Sequence, residues 1–225
     1  MKIFNYGTKG FCERDINADN RNRGNSDKYD NIWQKVKINN NIKSNYDTYK
    51  VLVEGGKTIL VSPIVVDQTK SNHKTIKEKV VQAKHESLEK DLEFVVQIKA
   101  DDPTDFKFKL KCPAFDNSYF FRYDSAGACH RNSGLDVPID QQRVPTPHFH
   151  KFMQTGEEIA YKTEVLKDQK QAEVLEDVSL CIAHFCTESN TKGNSADTPE
   201  IEVQSPGTLP FVYESDIDPL SGINF

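Results

Sequence analysis

The chain has 225 residues, a net charge of −5, 36% hydrophobic residues and 28% charged residues. So modest a charge argues against a general binder of polyanions. No apolar run approaches the roughly 18 residues that cross a bilayer, and the N-terminal sequence lacks the apolar segment of a signal peptide. The five cysteines are odd in number and contain no C-x-x-C pair. We therefore expect a cytoplasmic protein without membrane contact.

Charge and apolar content divide the chain into three parts. Residues 1–45 are polar and basic, residues 189–225 are acidic and contain prolines, and residues 46–188 carry most of the apolar segments. We expect a core domain over 46–188 between two polar arms. Such arms are either solvated or bind partners. Trp33, in the basic arm, is interpreted as an anchor against the core or as a platform on which a nucleic-acid base stacks.

The first half of the core predicts a hairpin followed by a helix. Residues 46–53 and 57–66 are β-branched runs separated by Glu54-Gly55-Gly56, which is typical of two strands joined by a turn. Pro63 interrupts the second run, so this strand is expected at an edge or with a bend. Apolar residues then recur at roughly helical spacing among Lys and Glu, which predicts a helix over 73–91.

The second half predicts an antiparallel meander and a covering helix. Strands are expected at 92–100, 105–112, 118–124, 147–152 and 157–162, the first of them central because it is mostly apolar. An apolar stripe predicts one helix over 168–186 that covers one face of the sheet. The fold class is therefore α+β, with an antiparallel sheet of about five to seven strands packed by one or two helices.

Residues 118–162 concentrate side chains that move protons, bind anions or ligate metals. His148 and His150 are two apart on an expected strand, so both imidazoles project from one face while Phe149 points into the core. His130 precedes a long loop that returns the chain to them. The candidate catalytic residues are His130, His148, His150, Arg122, Lys151 and Tyr161. The candidate binding residues are Asp124, Arg131, Asn132, Arg143 and Trp33.

Three chemistries fit this cluster. Histidines titrate near neutral pH, so they can be the general acid and base of metal-independent RNA cleavage, with Arg122 or Lys151 stabilising the phosphorane charge. Three imidazoles, or two with Asp124 or Cys129, can instead bind zinc, although the spacing does not favour a metal. In the third interpretation, the same polar groups only fasten the long loop, since buried polar groups need partners.

The pattern resembles a family of small uncharacterised bacterial proteins that often lie near mobile elements and defence islands. The motif R-[YF]-D, H-x-N, then P-H-x-H followed by an aromatic maps to Arg122–Asp124, His130, Asn132, 147–150 and Phe152. The resemblance covers roughly residues 92–188. More faintly, the order D, H, P-H-x-H is similar to small RNA-cleaving toxins of toxin–antitoxin pairs. The two arms depart from both groups.

Two functional hypotheses follow, and whether the protein is an enzyme stays open between them. In the first, the protein comes from a phage, plasmid or defence system and is directed at RNA or nucleotides through the His/Arg cluster. In the second, it is a non-enzymatic interaction protein that inhibits a host defence complex, as anti-CRISPR proteins do. Its protein partner would then bind residues 1–45 and 189–225.

Overall fold

Strand pairing dominates the structure, a computed structural model that describes residues 37–132, 142–195 and 197–204. The described strands are β1 (Lys57–Ile59), β2 (Ile64–Val66), β3 (Thr69–Lys70), β4 (His73–His85), β5 (Asp91–Lys99), β6 (Asp102–Cys112), β7 (Asp116–Asp124), β8 (His130–Arg131), β9 (Arg143–Val144), β10 (His148–Phe152), β11 (Glu158–Tyr161), β12 (Thr191–Gly193) and β13 (Ile201–Val203). The described helices are α1 (Asn40–Ser44), α2 (Tyr46–Glu54), α3 (Glu164–Lys167), α4 (Gln169–Val174) and α5 (Val178–Glu188).

The main sheet has the order β11-β10-β7-β6-β5-β4-β1-β12, and β3 also pairs with β4. All of these pairs are antiparallel except β1 with β12, which is parallel. Helices beside a mostly antiparallel sheet agree with the α+β prediction. The sheet has nine strands rather than five to seven, and it is mixed, because residues of the expected tail add β12 at its edge.

The meander from β5 to β11 confirms the strands predicted from alternation. In β6 the buried Phe106, Phe108 and Leu110 alternate with lysines that are partly exposed. The apolar β5 lies between β4 and β6 and is buried along most of its length, as a central strand should be. β10 and β11 pair across Gln154-Thr155-Gly156, as expected. The pattern of period two therefore located these strands correctly.

The expected first hairpin is wrong at its first strand. Residues 46–54 form helix α2, whose buried residues Tyr49 and Leu52 are three apart, the spacing of one helix face. The β-branched valines of this segment favour a strand only weakly, and tertiary packing decides the outcome. The run 57–66 is divided into β1, in the main sheet, and β2, which pairs in parallel with β13.

The helix predicted over 73–91 is also wrong, because residues 73–85 form the long strand β4. Nine of its residues pair with β5, and the buried positions Lys77, Val81, Ala83 and His85 are separated by even intervals. Lysine, glutamate and alanine favour helices when isolated, but this preference amounts to tenths of a kcal/mol per residue. A continuous ladder to the buried β5 overrides it.

The helix predicted over 168–186 is two helices with a break at residues 175–177. The side chain of Asp177 accepts hydrogen bonds from the backbone N–H groups of Ser179 and Leu180, which starts α5 as a new helix. Val174, an apolar residue within the segment predicted as one helix, is exposed. Of these two helices, α5 covers the sheet, through Phe185 against Phe94, Phe108, Phe121 and Phe149.

Cysteines contribute to the buried core. Cys112, Cys181 and Cys186 are free and buried. Cys181 and Cys186 lie on α5 beside Phe185 in the core cluster. Burial raises the pKa of each of these two thiols to about 12. Both therefore behave as small apolar side chains rather than as nucleophiles.

Gly156 is required by the turn between β10 and β11. Its φ is +82°, its carbonyl accepts a hydrogen bond of 2.8 Å from the Asn39 N–H, and a Cβ at this position would lie 2.5 Å from the Asn39 oxygen. We expect Gly156→Ala to lower the free energy of unfolding by roughly 1–3 kcal/mol, because it combines a strained φ with this clash. Denaturant unfolding measures the loss. The exposed Gln154→Ala in the same turn is the control, and an equal effect of both changes would refute the explanation.

Candidate functional site

The pairing of β7 with β10 places four polar side chains on one face of the sheet. His148 lies opposite Asp124 and His150 lies opposite Arg122, and paired residues project to the same side. Phe149, between the two histidines, is buried on the other face against Tyr123, with ring centroids 4.9 Å apart. The prediction that both imidazoles share a face while Phe149 enters the core is confirmed.

Asp124, His148 and His150 form the buried centre of this cluster. One potential ligand atom from each lies within 4.8 Å of the others. The two histidines are 1% exposed and the Asp124 side chain is 8% exposed. The imidazole centroids are 4.6 Å apart, and Nε2 of His150 is 3.4 Å from Oδ2 of Asp124. Two nitrogen donors and one carboxylate in this arrangement are a set that can hold a transition metal.

His130 joins the cluster from the short strand β8. Its ring centroid is 4.9 Å from that of His150 and 6.4 Å from that of His148. Asn132 holds this segment in place, because its side-chain amide both accepts from the N–H and donates to the carbonyl of Ala160, each at 2.8 Å. The path of the chain therefore brings three imidazoles together, as the sequence suggested.

Arg122 connects the acidic groups around the histidines. Its Nε is 3.1 Å from Oδ1 of Asp124, and its Nη2 is 2.8 Å from Nε2 of His150 and 3.5 Å from Oε1 of Glu158. Nη1 donates a short hydrogen bond to the hydroxyl of Tyr119, and the guanidinium stacks on that ring. Since arginine only donates, its contact with Nε2 favours the tautomer of His150 that carries its proton on Nδ1, which faces Glu158 at 2.7 Å.

Tyr119 and Glu158 are functional candidates that the sequence did not reveal. Strict alternation along β7 would place Tyr119 on the face of Phe121, but the pairing with β6 skips Phe120, which forms a β-bulge. Phe120 and Phe121 are both buried, and Tyr119 turns to the side of Arg122 and donates 2.6 Å to Glu158. No residue type in this part of the sequence predicts the bulge. Glu158 was detectable, because its pairing with Phe152 puts it on the histidine face.

Both carboxylates are held in the ionised form. Burial alone would raise the pKa of Asp124, but the hydrogen bond from His150 and the charges of Arg122 and Lys107 lower it to about 2. The pKa of Glu158 is also about 2, since hydrogen bonds from His150 and Tyr119 and the charge of Arg122 outweigh burial. Two carboxylates therefore face two cations, Arg122 and Lys107, at neutral pH.

His130 and His148 are held in the neutral form. Burial, followed by the neighbouring His150, lowers the pKa of His130 below its usual value. The same causes lower the pKa of His148 to about 4, although Asp124 and the carbonyl of Pro145 act in the opposite direction. Within the described part of the chain, Nδ1 of His148 is buried and makes no hydrogen bond of good geometry. A neutral imidazole is a competent proton acceptor or metal ligand.

A pH series tests the environment of His148. Its folded pKa of about 4 lies below the ordinary 6.5, so the unfolded chain binds the proton first. Its contribution to stability is complete above pH 6.5 and is lost as the pH falls from 6.5 towards 4. We expect His148→Gln to remove this part of the pH dependence, as measured by denaturant unfolding at several pH values. Unchanged pH dependence in the variant would contradict the assignment.

The structure does not bring every candidate into the cluster. Lys151 lies over the ring of Tyr161, with Nζ 4.6 Å from the centroid. Tyr161 stacks on Phe149 and donates 2.8 Å to Glu188 of α5, so both residues belong to the opposite face. Arg131 and Arg143 pair in the β8–β9 hairpin beside the cluster, where Arg131 is exposed. Trp33 lies outside the described residues.

A row of polar groups extends from the cluster across the same face. Nζ of Lys107, on the neighbouring strand β6, lies 3.6 Å from Oδ2 of Asp124. Lys109 donates 2.8 Å to the side-chain oxygen of Gln97, whose amide nitrogen donates a short hydrogen bond to Glu78. Burial, followed by repulsion from neighbouring cations, lowers the pKa of Lys109 to about 8. The histidine cluster is therefore one end of a polar network that crosses β4, β5, β6 and β7.

The expected arms are partly built into the fold. Asn40–Ser44 form α1, with Ile42 fully buried, and the tail contributes β12 and β13. Most of 1–45 and 205–225 lies outside the described residues, so the protein-partner hypothesis stays a prediction. Among the described residues, no helix is long and apolar enough to span a membrane. Comparisons with protein-family models, curated proteins and solved structures found no match to this chain.

Proposed function

We propose that the protein acts on the phosphodiester groups of RNA or nucleotides in the cytoplasm of a host that carries a phage, plasmid or defence system. The observation that carries the proposal is the gathering of His130, His148 and His150 beside Arg122 on one face. Groups that accept and donate protons, next to a cation that stabilises negative charge, are what metal-independent cleavage by a 2′-hydroxyl requires.

The partly exposed residues of the cluster would meet the substrate. His130, Arg122 and Glu158 are partly exposed, whereas His148 and His150 lie behind them. In this mechanism the 2′-oxygen attacks phosphorus and its proton passes to His130. The 5′-oxygen leaves with the proton that His130 accepted, which gives a cyclic phosphate and a free hydroxyl. Arg122 stabilises the charge on the non-bridging oxygens.

The carboxylates would position the imidazole behind His130. Glu158 lies 2.7 Å from Nδ1 of His150, the nitrogen that carries the proton while Arg122 donates to Nε2. His148, neutral because of its burial, would accept a proton from within the cluster. Lys151 and Tyr161 take no part, since they lie on the opposite face.

A metal centre is the second candidate, and the geometry of Asp124, His148 and His150 favours it. Their ligand atoms lie within 4.8 Å of one another in a buried setting, which suits zinc or a related transition metal. Arg122, whose Nη2 is 2.8 Å from Nε2 of His150, and Lys107 oppose it, because they already neutralise the carboxylates. A zinc ion at His130, His148 and His150, the set that the sequence left open, would lack the charge compensation of Asp124.

One experiment separates the two candidates. Purified protein is incubated with labelled RNA and with nucleotides, with and without chelator, beside His130→Ala and the double variant His148→Ala/His150→Ala. The exposed His73→Ala is the matched control. The proposal expects chelator-resistant cleavage that the cluster variants lose and the control retains. Loss of cleavage in chelator, with metal found by elemental analysis, would favour the metal centre. Equal inactivity of all proteins would overturn both catalytic proposals.

A further inference from the structure

A separate cavity of about 290 Å³ lies on the same face as the histidine cluster, at the end of the sheet where β4, β5 and β6 meet the loop after β7. Its lining comprises Thr75, Ile76, Gln97, Ile98, Lys99, Asp105, Lys107, Ala126 and Gly127. This volume is near the lower limit of pockets that hold small organic ligands. None of the described histidines lines it.

The cavity is shaped by fixed elements. Ser125 fastens the loop, because its hydroxyl donates 2.6 Å to the carbonyl of Thr104 and accepts 2.8 Å from the N–H of Phe106. Gln97 is fixed as well, since its amide nitrogen donates to Glu78 and its oxygen accepts from Lys109. The polar ends of Gln97 are thus engaged, and the site offers a ligand mainly apolar surface.

Two lysines, Lys99 and Lys107, offer ammonium groups at the cavity, and its lining contains one carboxylate, that of Asp105. Nζ of Lys99 is 3.5 Å from Asp101 in an exposed pair, which is weak enough for a ligand to replace. Nζ of Lys107 is 3.6 Å from Asp124. An apolar cavity with two ammonium groups suits a ligand that has an apolar body and a phosphate.

We infer that this cavity binds a nucleoside monophosphate, with the phosphate between Lys99 and Lys107 and the base against Ile76 and Ala126. The choice of a nucleotide rests on the proposed function, whereas the choice of an anion with an apolar body rests on the cavity alone. Because Lys107 also contacts Asp124, a bound phosphate competes with that carboxylate. Occupancy of the cavity therefore changes the surroundings of His148 and His150.

Calorimetric titration of the full chain tests the inference, with adenosine 5′-monophosphate, adenosine and inorganic phosphate as probes. We expect the monophosphate to bind most tightly, and Lys99→Gln and Lys107→Gln to weaken it roughly tenfold or more, as expected when a charge-assisted contact is lost. Lys84→Gln is the matched control, since Lys84 is an exposed lysine of β4 outside the lining. Ala126→Trp, which fills the cavity from the loop, should abolish binding without removing a charge.

The outcomes distinguish this inference from the proposed activity. Two results together support the cavity even if no RNA is cleaved. The His148→Ala/His150→Ala variant binds the monophosphate, and addition of monophosphate to the wild type shifts the NMR signals of the imidazoles. Equal binding of phosphate and monophosphate would show an anion site without a place for the base and would overturn the nucleotide assignment. No binding of any probe, or unchanged binding by Ala126→Trp, would overturn the site itself.

Discussion

Arg122→Ala is expected to lower the free energy of unfolding at neutral pH by about 3–5 kcal/mol, the usual cost of removing one partner from a buried ion pair. The guanidinium lies within 3.5 Å of both Asp124 and Glu158 and is 19% exposed. Without it, the buried Asp124 and the partly exposed Glu158 face each other with only Lys107 to compensate them. The stacking on Tyr119 is lost as well. Chemical denaturation of the wild type and the variant measures the difference.

The effect of Arg122→Ala depends on pH in a defined direction. In the wild type, the folded pKa values of Asp124 and Glu158 are about 2, below the ordinary 3.8 and 4.5. Their contribution to stability is present above about pH 4.5 and is lost as the pH falls towards 2. Removal of the arginine raises both folded values, so the gap between wild type and variant narrows on acidification. A gap independent of pH would refute the electrostatic explanation.

Arg131→Ala is the matched control for Arg122→Ala. Arg131 is exposed on β8, and its Nη2 lies 3.5 Å from the side-chain oxygen of Gln142. Loss of such a surface contact changes stability by roughly 0.5 kcal/mol or less. If both substitutions cost the same, the cost of losing Arg122 would not arise from buried charge.

Phe149→Ala is expected to cost about 3–5 kcal/mol, as large-to-small changes of buried aromatic residues do. The ring is fully buried and packs on Tyr123, Phe121 and Phe185. It also holds β10 in place, and its two neighbours in the sequence, His148 and His150, are the buried histidines. The variant should therefore be less stable and should hold the histidine cluster less rigidly. Unfolding curves measure the stability, and the imidazole NMR signals report the state of the cluster.

Leu180→Ala provides the comparison for Phe149→Ala. Leu180 is apolar and lies on α5, the helix that covers the core, but its side chain is exposed. Its replacement should change stability by roughly 0.5 kcal/mol or less. A large loss here would indicate that α5 packs on the sheet differently from the arrangement described.

Period-two alternation was the reliable signal in this sequence. It located β6, β7 and β10, and with them the shared face of His148 and His150. The predictions for the segments that form α2 and β4 were wrong. Local propensities of a few tenths of a kcal/mol favour the predicted structures, but tertiary packing favours the observed ones and decides the outcome. The break before α5 was readable in principle, since Asp177 is a favourable N-cap residue inside the expected helix.

The site was predictable where it depends on spacing and unpredictable where it depends on irregular pairing. His130 could be expected near the H-x-H strand because the loop must return the chain there. Tyr119 could not, since the bulge at Phe120 reverses its direction. Lys151 was selected for its charge alone. The alternation that assigns His150 to one face assigns Lys151 to the other.

The parallel pairing of β1 with β12 has a consequence for biosynthesis. Lys57–Ile59 pair with Thr191–Gly193, which leave the ribosome more than a hundred residues later. Until then, β1 is an open edge with unpaired backbone groups, which favours association with other chains. Closing so long a loop is also slow compared with hairpin formation. Truncation before Thr191 should therefore leave a nascent-like, aggregation-prone chain rather than a trimmed domain.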